Sequence, residues 1–236
     1  MAETTIRRRS DLVDYASQKW AKKLSVWTIG RLLKSVGYVW KRMRKSCKFG
    51  RDEVLFRFFQ EEIRELKVLE DQGEIDLFFY DEAGFSLQAV VPYAWQKIGT
   101  TQAIASSQGG NSTVMGMISR KGGFSYQLKT KAPKSQDVID FIDQMETRKK
   151  TIIVMDQASI HTAKAFKERM VRWKKKDLYI QFLPKASPEL NIIEMLWRKI
   201  KYQWLPREAY QSLKLLRMHL QVILDHIGKD YQIHFA

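Results

Sequence analysis

Cysteine occurs once in this 236-residue chain, at Cys47, so no disulfide can form within it. The four histidines are scattered and complete no Cys/His cluster, which leaves nothing on which to build a zinc site. Any metal would have to be held by carboxylates, and that donor type suits magnesium or manganese. Long apolar runs are also missing. None approaches the roughly 20 residues that span a bilayer, and the N-terminus is polar and basic, without the apolar core of a signal peptide. A membrane protein and an exported one are therefore both disfavoured, and a cytoplasmic location is expected. Internal repeats and low-complexity segments are absent as well.

Acidic residues are few beside basic ones, 26 against 41, giving a formal charge of +15 and a pI near 9.8. A soluble chain this basic usually meets a polyanion, either nucleic acid or an anionic membrane surface. The hydrophobic share of 44% is that of a packed globular protein rather than a disordered one. The length allows one substantial domain and a smaller appendage.

The texture of the chain divides it into three parts, residues 1–50, 51–73 and 74–236. In the first, dense in Lys and Arg, a helical stretch around Leu12, Tyr15, Ala16 and Trp20 precedes a second helix through Ile29, Leu32, Leu33 and Val36. Ser25 is placed to cap that second helix and Gly37 to end it. Two short helices followed by Tyr38-Val39-Trp40-Lys41-Arg42-Met43-Arg44 read as the end of a helix-turn-helix unit whose third helix is not found upstream. The alternative is a basic helical hairpin that reads no groove. Residues 51–72 read as a connecting helix with Val54, Phe58, Ile63, Leu66 and Leu69 on its apolar face.

From residue 74 the pattern becomes mixed. Ile75–Asp81 and Thr151–Asp156 are nearly continuous apolar runs, the mark of central buried strands. Strand-like pieces near Leu87–Trp95 and Thr113–Ser119 follow the first run, and Gly122-Gly123 turns the second of them into Phe124–Leu128. Ser135 is expected to cap a helix bearing Val138, Phe141, Ile142 and Met145, and a helix with Ala163, Phe166, Met170 and Trp173 follows the 151–156 strand. After a strand at Leu178–Leu183, Ser187, Pro188 and Glu189 mark the start of a helix with the stripe Leu190, Ile193, Trp197, Ile200, Trp204. A last helix covers about 211–227. Hairpin strands followed by alternating strands and helices indicate an α/β fold, a mixed sheet flanked by helices. The seven tryptophans mostly fit helix faces and core positions and are assigned no base-stacking role; Trp95, among polar neighbours in a hairpin, is the exception.

Two of the apolar strands end in an aspartate, Asp81 and Asp156. Strand ends are where open α/β sheets place their chemistry, although a lone Asp there is more often a turn or cap residue. A third acid, Glu194, lies early in the helix after the last strand. Arg198 and Lys201, four and seven residues on, allow a surface ion pair worth about 0.3–0.5 kcal/mol, and they equally place two cations beside the acid to hold phosphates. Phosphodiester cleavage must deprotonate a water or hydroxyl and stabilise the leaving oxygen. Two divalent ions about 4 Å apart serve both ends, held by a few carboxylates.

The blocks Phe79-Tyr80-Asp81-Glu82-Ala83-Gly84-Phe85, Val154–His161 and Leu183–Trp197 closely resemble, in the right order, the three catalytic blocks of insertion-sequence transposases of the mariner superfamily. The resemblance covers roughly residues 50 to 205. It implies a ribonuclease H-like fold and cut-and-paste movement of a DNA element in a prokaryote. Asp81, Asp156 and Glu194 would be the catalytic, metal-binding triad holding two Mg²⁺ ions, with Mn²⁺ able to substitute. His161, five residues after Asp156, would be an accessory group reaching the scissile phosphate or a structural residue. Phosphate contacts would come from Arg31, Lys34, Lys41, Arg42, Arg44, Lys185, Arg198 and Lys201. The partner would be double-stranded DNA, as terminal inverted repeats and as target, bound by a homodimer or larger assembly.

Departures from the blocks are Gln157 in place of the common Asn, Lys185-Ala186 in place of a Pro–Tyr pair, and Ile192 in place of a Pro after Asn191. None removes an expected metal ligand. The N-terminal segment resembles only the end of the family's helix-turn-helix region, so a truncated chain is expected, with terminal-repeat recognition weakened. Two alternatives stay open: a catalytically inactive DNA-binding remnant, and a ribonuclease H-like nuclease that cuts without strand transfer.

Overall fold

The computed structural model describes residues 9–39, 50–88 and 110–233. It comprises two compact units, Met1–Ser46 and Cys47–Ala236. Among the described residues, no helix is long and apolar enough to cross a membrane.

The first unit is a pair of helices, α1 (Arg9–Trp20) and α2 (Val26–Ser35). Ser25 caps α2 as expected, its side chain accepting from the Thr28 amide at 3.0 Å. Gly37 ends it at φ +84°, a left-handed conformation that costs glycine no Cβ clash. Only Ala16 and Ile29 are buried among the described residues here, while Trp20 and Trp27 are 58% and 80% exposed. Both lie on helix faces and not in the core. Trp40, Trp95 and the basic residues Lys41, Arg42 and Arg44 lie outside the described residues.

The second unit opens with α3 (Glu53–Asp71), capped by Asp52, whose carboxylate accepts from the amides of Val54 and Leu55. Its inward face is Phe56, Phe59, Ile63, Leu66 and Leu69. Val54 and Phe58, expected on that face, point to solvent. The apolar stripe runs through the neighbouring phenylalanines, and a helix carrying apolar residues all round its first turns leaves the choice to tertiary packing.

Five strands follow: β1 (Asp76–Ser86), β2 (Asn111–Ser119), β3 (Phe124–Lys129), β4 (Thr151–Met155) and β5 (Leu178–Phe182). They form one sheet in the order β3-β2-β1-β4-β5. β1, β2 and β3 pair antiparallel, and β4 and β5 add in parallel on the other side of β1. β1 does not stop at Asp81. Its parallel pairing with β4 ends at Phe79 and Val154, while its antiparallel pairing with β2 continues to Ser86. The apolar run thus marks the doubly paired part of the strand, and the more polar continuation is held from one side only.

Alternation along β1 sorts the core into two layers. Leu77, Phe79, Ala83 and Phe85 face α3, α6 (Ile193–Lys199) and α7 (Leu213–Asp225). Tyr80 faces the other layer with Met115, Met117, Ile153 and Met155, covered by α4 (Ser135–Asp143) and α5 (Lys164–Lys174). Trp173 joins α5 to α4 by donating from its indole N–H to Asp143 at 2.7 Å.

Two caps differ from the sequence expectation. Ser135 is the first residue inside α4, and its hydroxyl finds no partner among the described residues, while Asp137 reaches back to the Lys134 amide at 2.8 Å. The helix expected from Ser187 is broken in three: a 3₁₀ turn at Pro188–Leu190, α6, and a π turn at Ile200–Trp204. Ser187 does not cap it, because its hydroxyl donates to the Lys185 carbonyl. Asn191 interrupts it in an extended conformation, its buried amide donating to the Tyr80 carbonyl at 2.9 Å. The stripe itself holds, with Leu190, Ile193, Trp197 and Ile200 all buried.

Candidate active site

The acids singled out from the sequence come together at the end of the sheet where β4 finishes. Asp81 lies on β1 just past its pairing with β4, Asp156 is the residue after β4, and Glu194 is in the first turn of α6. Burial, then the charges of Glu194, Glu82 and Asp156, push the Asp81 carboxyl up to about 7. Glu194 is also raised, chiefly by burial; Lys201 and Arg198 oppose the rise and Asp156 adds to it. Neither cation is in ion-pair contact with Glu194 among the described residues, so the simple surface pair is not formed.

Each carboxylate is held by a different device. The Asp81 Oδ2 accepts from the indole Nε1 of Trp197 at 3.1 Å. The Trp197 ring reaches it across Gly116, the β2 residue paired directly with Asp81. A Cβ at Gly116 would lie 2.5 Å from the ring, so only glycine leaves this path open. Asp156 uses one oxygen, Oδ1, to accept from the Ala158 amide at 3.0 Å and from His161 Nδ1 at 2.8 Å. That imidazole contact is the main cause that lowers its pKa, against the opposing effect of burial.

His161 is fully buried. Its second nitrogen, Nε2, lies 2.9 Å from Glu82 Oε1, and the same oxygen accepts from the Tyr80 hydroxyl at 2.7 Å. Two carboxylate acceptors require two N–H donors, so the ring is an imidazolium. Burial disfavours that charge, yet the bonds to Asp156 and Glu82 outweigh it and push His161 up to about 10. With both nitrogens engaged and no exposed edge, His161 has no group left for a scissile phosphate.

Lys185 is exposed in the loop after β5, a loop tied to the Asp156 segment by Gln157, which donates to the Leu183 carbonyl at 2.9 Å. Arg198 is exposed on α6, and Lys201 lies in the π turn with its ammonium 5.2 Å from the Phe85 ring centre. Arg31 and Lys34 are exposed on α2, in the other unit. Sequence reasoning missed Glu82, Trp197 and Gly116 as parts of the site. Trp197 had a signal, since it is one helical turn beyond Glu194; Gly116 had none until the strand register was known.

Residues 76–217, more than half of the chain, match the family model of the DDE superfamily endonucleases. The chain belongs to that family. Among solved structures, this DDE protein resembles the mariner Mos1 paired-end complex with Mg, at 11% identity and a TM-score of 0.59, over 98% of this chain and 75% of that one. It is also similar to the Mos1 mariner paired-end complex with Mn, at 14% identity and a TM-score of 0.57, over 95% and 73% of the two chains. The Mos1 strand transfer complex is matched at 13% identity and a TM-score of 0.56, over the same shares. At such identities the likeness concerns the fold, a ribonuclease H-like sheet with its flanking helices. No curated protein sequence matches the chain.

Proposed function

We propose that this DDE-family protein is a transposase that cleaves double-stranded DNA at element ends and joins the freed 3′-hydroxyl to target DNA, with Asp81, Asp156 and Glu194 as its catalytic carboxylates. The observation that carries the reading is electrostatic. Three acids from β1, the end of β4 and α6 are crowded together, and burial first, then the charges of Glu194, Glu82 and Asp156, pushes the Asp81 carboxyl up to about 7. In a DNA-binding chain of charge +15, such crowding serves no purpose unless a cation relieves it.

The donor set is all oxygen, as Mg²⁺ and Mn²⁺ prefer. Among the described residues no three acidic, His or Cys side chains stand in metal-holding geometry, so the acids are gathered as charges and not yet as a ligand set. Asp81, Asp156 and Glu194 would hold the metal, two ions on this reading. Bound there, it would supply Lewis acidity for the attacking and leaving oxygens. The protein's own part is to aim the acids: the Trp197 indole holds one oxygen of Asp81, and the Asp156 Oδ2 is left free by the contacts on Oδ1. Lys185, Arg198 and Lys201 would take up phosphates, and the active assembly on two DNA ends would be a dimer or larger.

The competing reading is a DNA-binding remnant without catalysis. Its support is that Asp156 Oδ1 is committed to His161 and Ala158. The deciding experiment is nicking of a supercoiled plasmid by purified protein with Mg²⁺ or Mn²⁺, with Asp156→Ala in parallel. Metal-dependent nicking that disappears in the variant supports the transposase reading. Salt-sensitive DNA binding with no nicking by the wild type supports the remnant.

A further inference from the structure

The acids occupy one end of the sheet; the other end of the same strands is basic. β4 and β5 are parallel and start side by side, with Thr151 opposite Leu178. The segments that lead into them are therefore neighbours, and the Thr147 hydroxyl donates to the Lys176 carbonyl at 3.0 Å while the Thr151 amide donates to the Asp177 carbonyl at 2.8 Å. One segment carries Arg148-Lys149-Lys150 and the other Lys174-Lys175-Lys176, against Glu146 and Asp177. Five strand residues of about 3.3 Å each put this cluster roughly 17 Å from Asp156.

Most of these cations are not consumed within the fold, although the Lys150 ammonium lies 5.4 Å from the Tyr179 ring centre. Lys149 is paired with Asp76 at 3.2 Å. Arg148, Lys150, Lys174, Lys175 and Lys176 are exposed and have no ion pair among the described residues. A contrast lies at the same end of the sheet just past β2, where Arg120 is taken up by Glu70 and Asp71. Five such cations in two adjoining segments repel one another, and a polyanion would offset that cost. The two segments carry no exposed aromatic side chain on which unpaired bases could stack, which favours duplex phosphates over single strands.

We propose that this basic end is a second DNA surface, which contacts the backbone of a duplex segment other than the one at the carboxylates. The inference rests on the reading of the chain as a DNA-processing protein. It adds that one catalytic unit touches two duplex segments, at opposite ends of β4. Contacts of this kind fix position and carry no sequence information.

The test compares K174Q/K175Q/K176Q with K164Q/K167Q/K229Q, which removes the same charge from exposed positions elsewhere. Binding of a 30-base-pair duplex (about three helical turns) is followed by fluorescence anisotropy over a range of salt. Each phosphate that the protein ceases to neutralise flattens the plot of log affinity against log salt by about 0.9. The slope should fall by about 2 to 3 in the first variant and by less than about 1 in the control. R148Q/K150Q provides a second, independent variant on the adjoining segment, with an expected fall of about 2. Slopes for both that match the control's overturn the proposal. Metal-dependent nicking is measured on the same proteins. Failure of the wild type to nick overturns the active-site reading, while the slope comparison still decides this one.

Discussion

Asp81 should destabilise the protein it serves, and Asp81→Asn measures by how much. A carboxyl moved from 3.8 to about 7 represents about 4 kcal/mol of preference for its neutral form. Partial exposure screens this, and about half, ~2 kcal/mol, is expected to reach the folding equilibrium. The direction follows from proton counts. Below pH 3.8 folded and unfolded chains both hold the proton, and Asp81 contributes nothing. Between 3.8 and about 7 the folded chain keeps a proton that the unfolded chain has lost, so stability falls as pH rises through this window. Above it the full penalty is present. The asparagine variant lacks the charge and nearly matches the shape, so it should be more stable than wild type by about 2 kcal/mol at pH 8 and about equal near pH 4. For a unit of this size that is roughly 4–8 °C in the melting temperature. Thermal melts followed by circular dichroism, with a chelator present, read this directly. An increment of the same size at both pH values, or a variant less stable at pH 8, would refute the electrostatic account of the site. Added Mn²⁺ should raise the wild-type melting temperature and leave the variant's nearly unchanged.

Two further substitutions probe how the acids are held. Trp197→Phe keeps a ring over Gly116 and removes the N–H that Asp81 accepts. Mn²⁺ affinity, read by electron paramagnetic resonance of the free ion, should fall about 10-fold, at the low end for a group that orients a ligand. An unchanged affinity would make Trp197 a packing residue only. His161→Ala leaves Glu82 and Asp156 without their shared donor. It should cost about 3 kcal/mol in urea unfolding, the lower part of the range for breaking a buried pair, since Asp156 is itself half exposed. A cost below about 1 kcal/mol would show that water replaces the imidazolium freely.

The positions of the three acids stood out in the sequence because each lies in or at the end of a strong local pattern. Asp81 and Asp156 follow unbroken apolar runs, and Glu194 falls within a stripe of regular spacing, which survived even though its helix broke at Asn191. What escaped depends on partners distant in the chain. Val54 and Phe58 looked inward until Phe56 and Phe59 took the core. The continuation of β1 beyond Asp81 came from antiparallel pairing with β2, which no property of residues 82–86 announces. The role of His161 stayed open in the sequence, between accessory group and structural residue, because one of its two acceptors is 79 residues away. The need for glycine at position 116 arises only where Trp197 crosses the strand.

Asp81 and Glu82 are consecutive on β1 and serve opposite layers of the molecule, one under Trp197 and the other under His161. The strand is therefore a phase device: its two-residue alternation decides which acid becomes a candidate ligand and which becomes a counter-ion. A slip of one residue would exchange them, keeping the charge of both faces while moving each carboxylate by a methylene. Pairing with β4 from Asp76 to Phe79 and with β2 from Phe78 to Ser86 locks that phase from two sides. Insertions or deletions between the Gly73 turn and Asp81 should thus be far less tolerated than substitutions at the same positions, because they would change the identity of the acid on each side and not merely its surroundings.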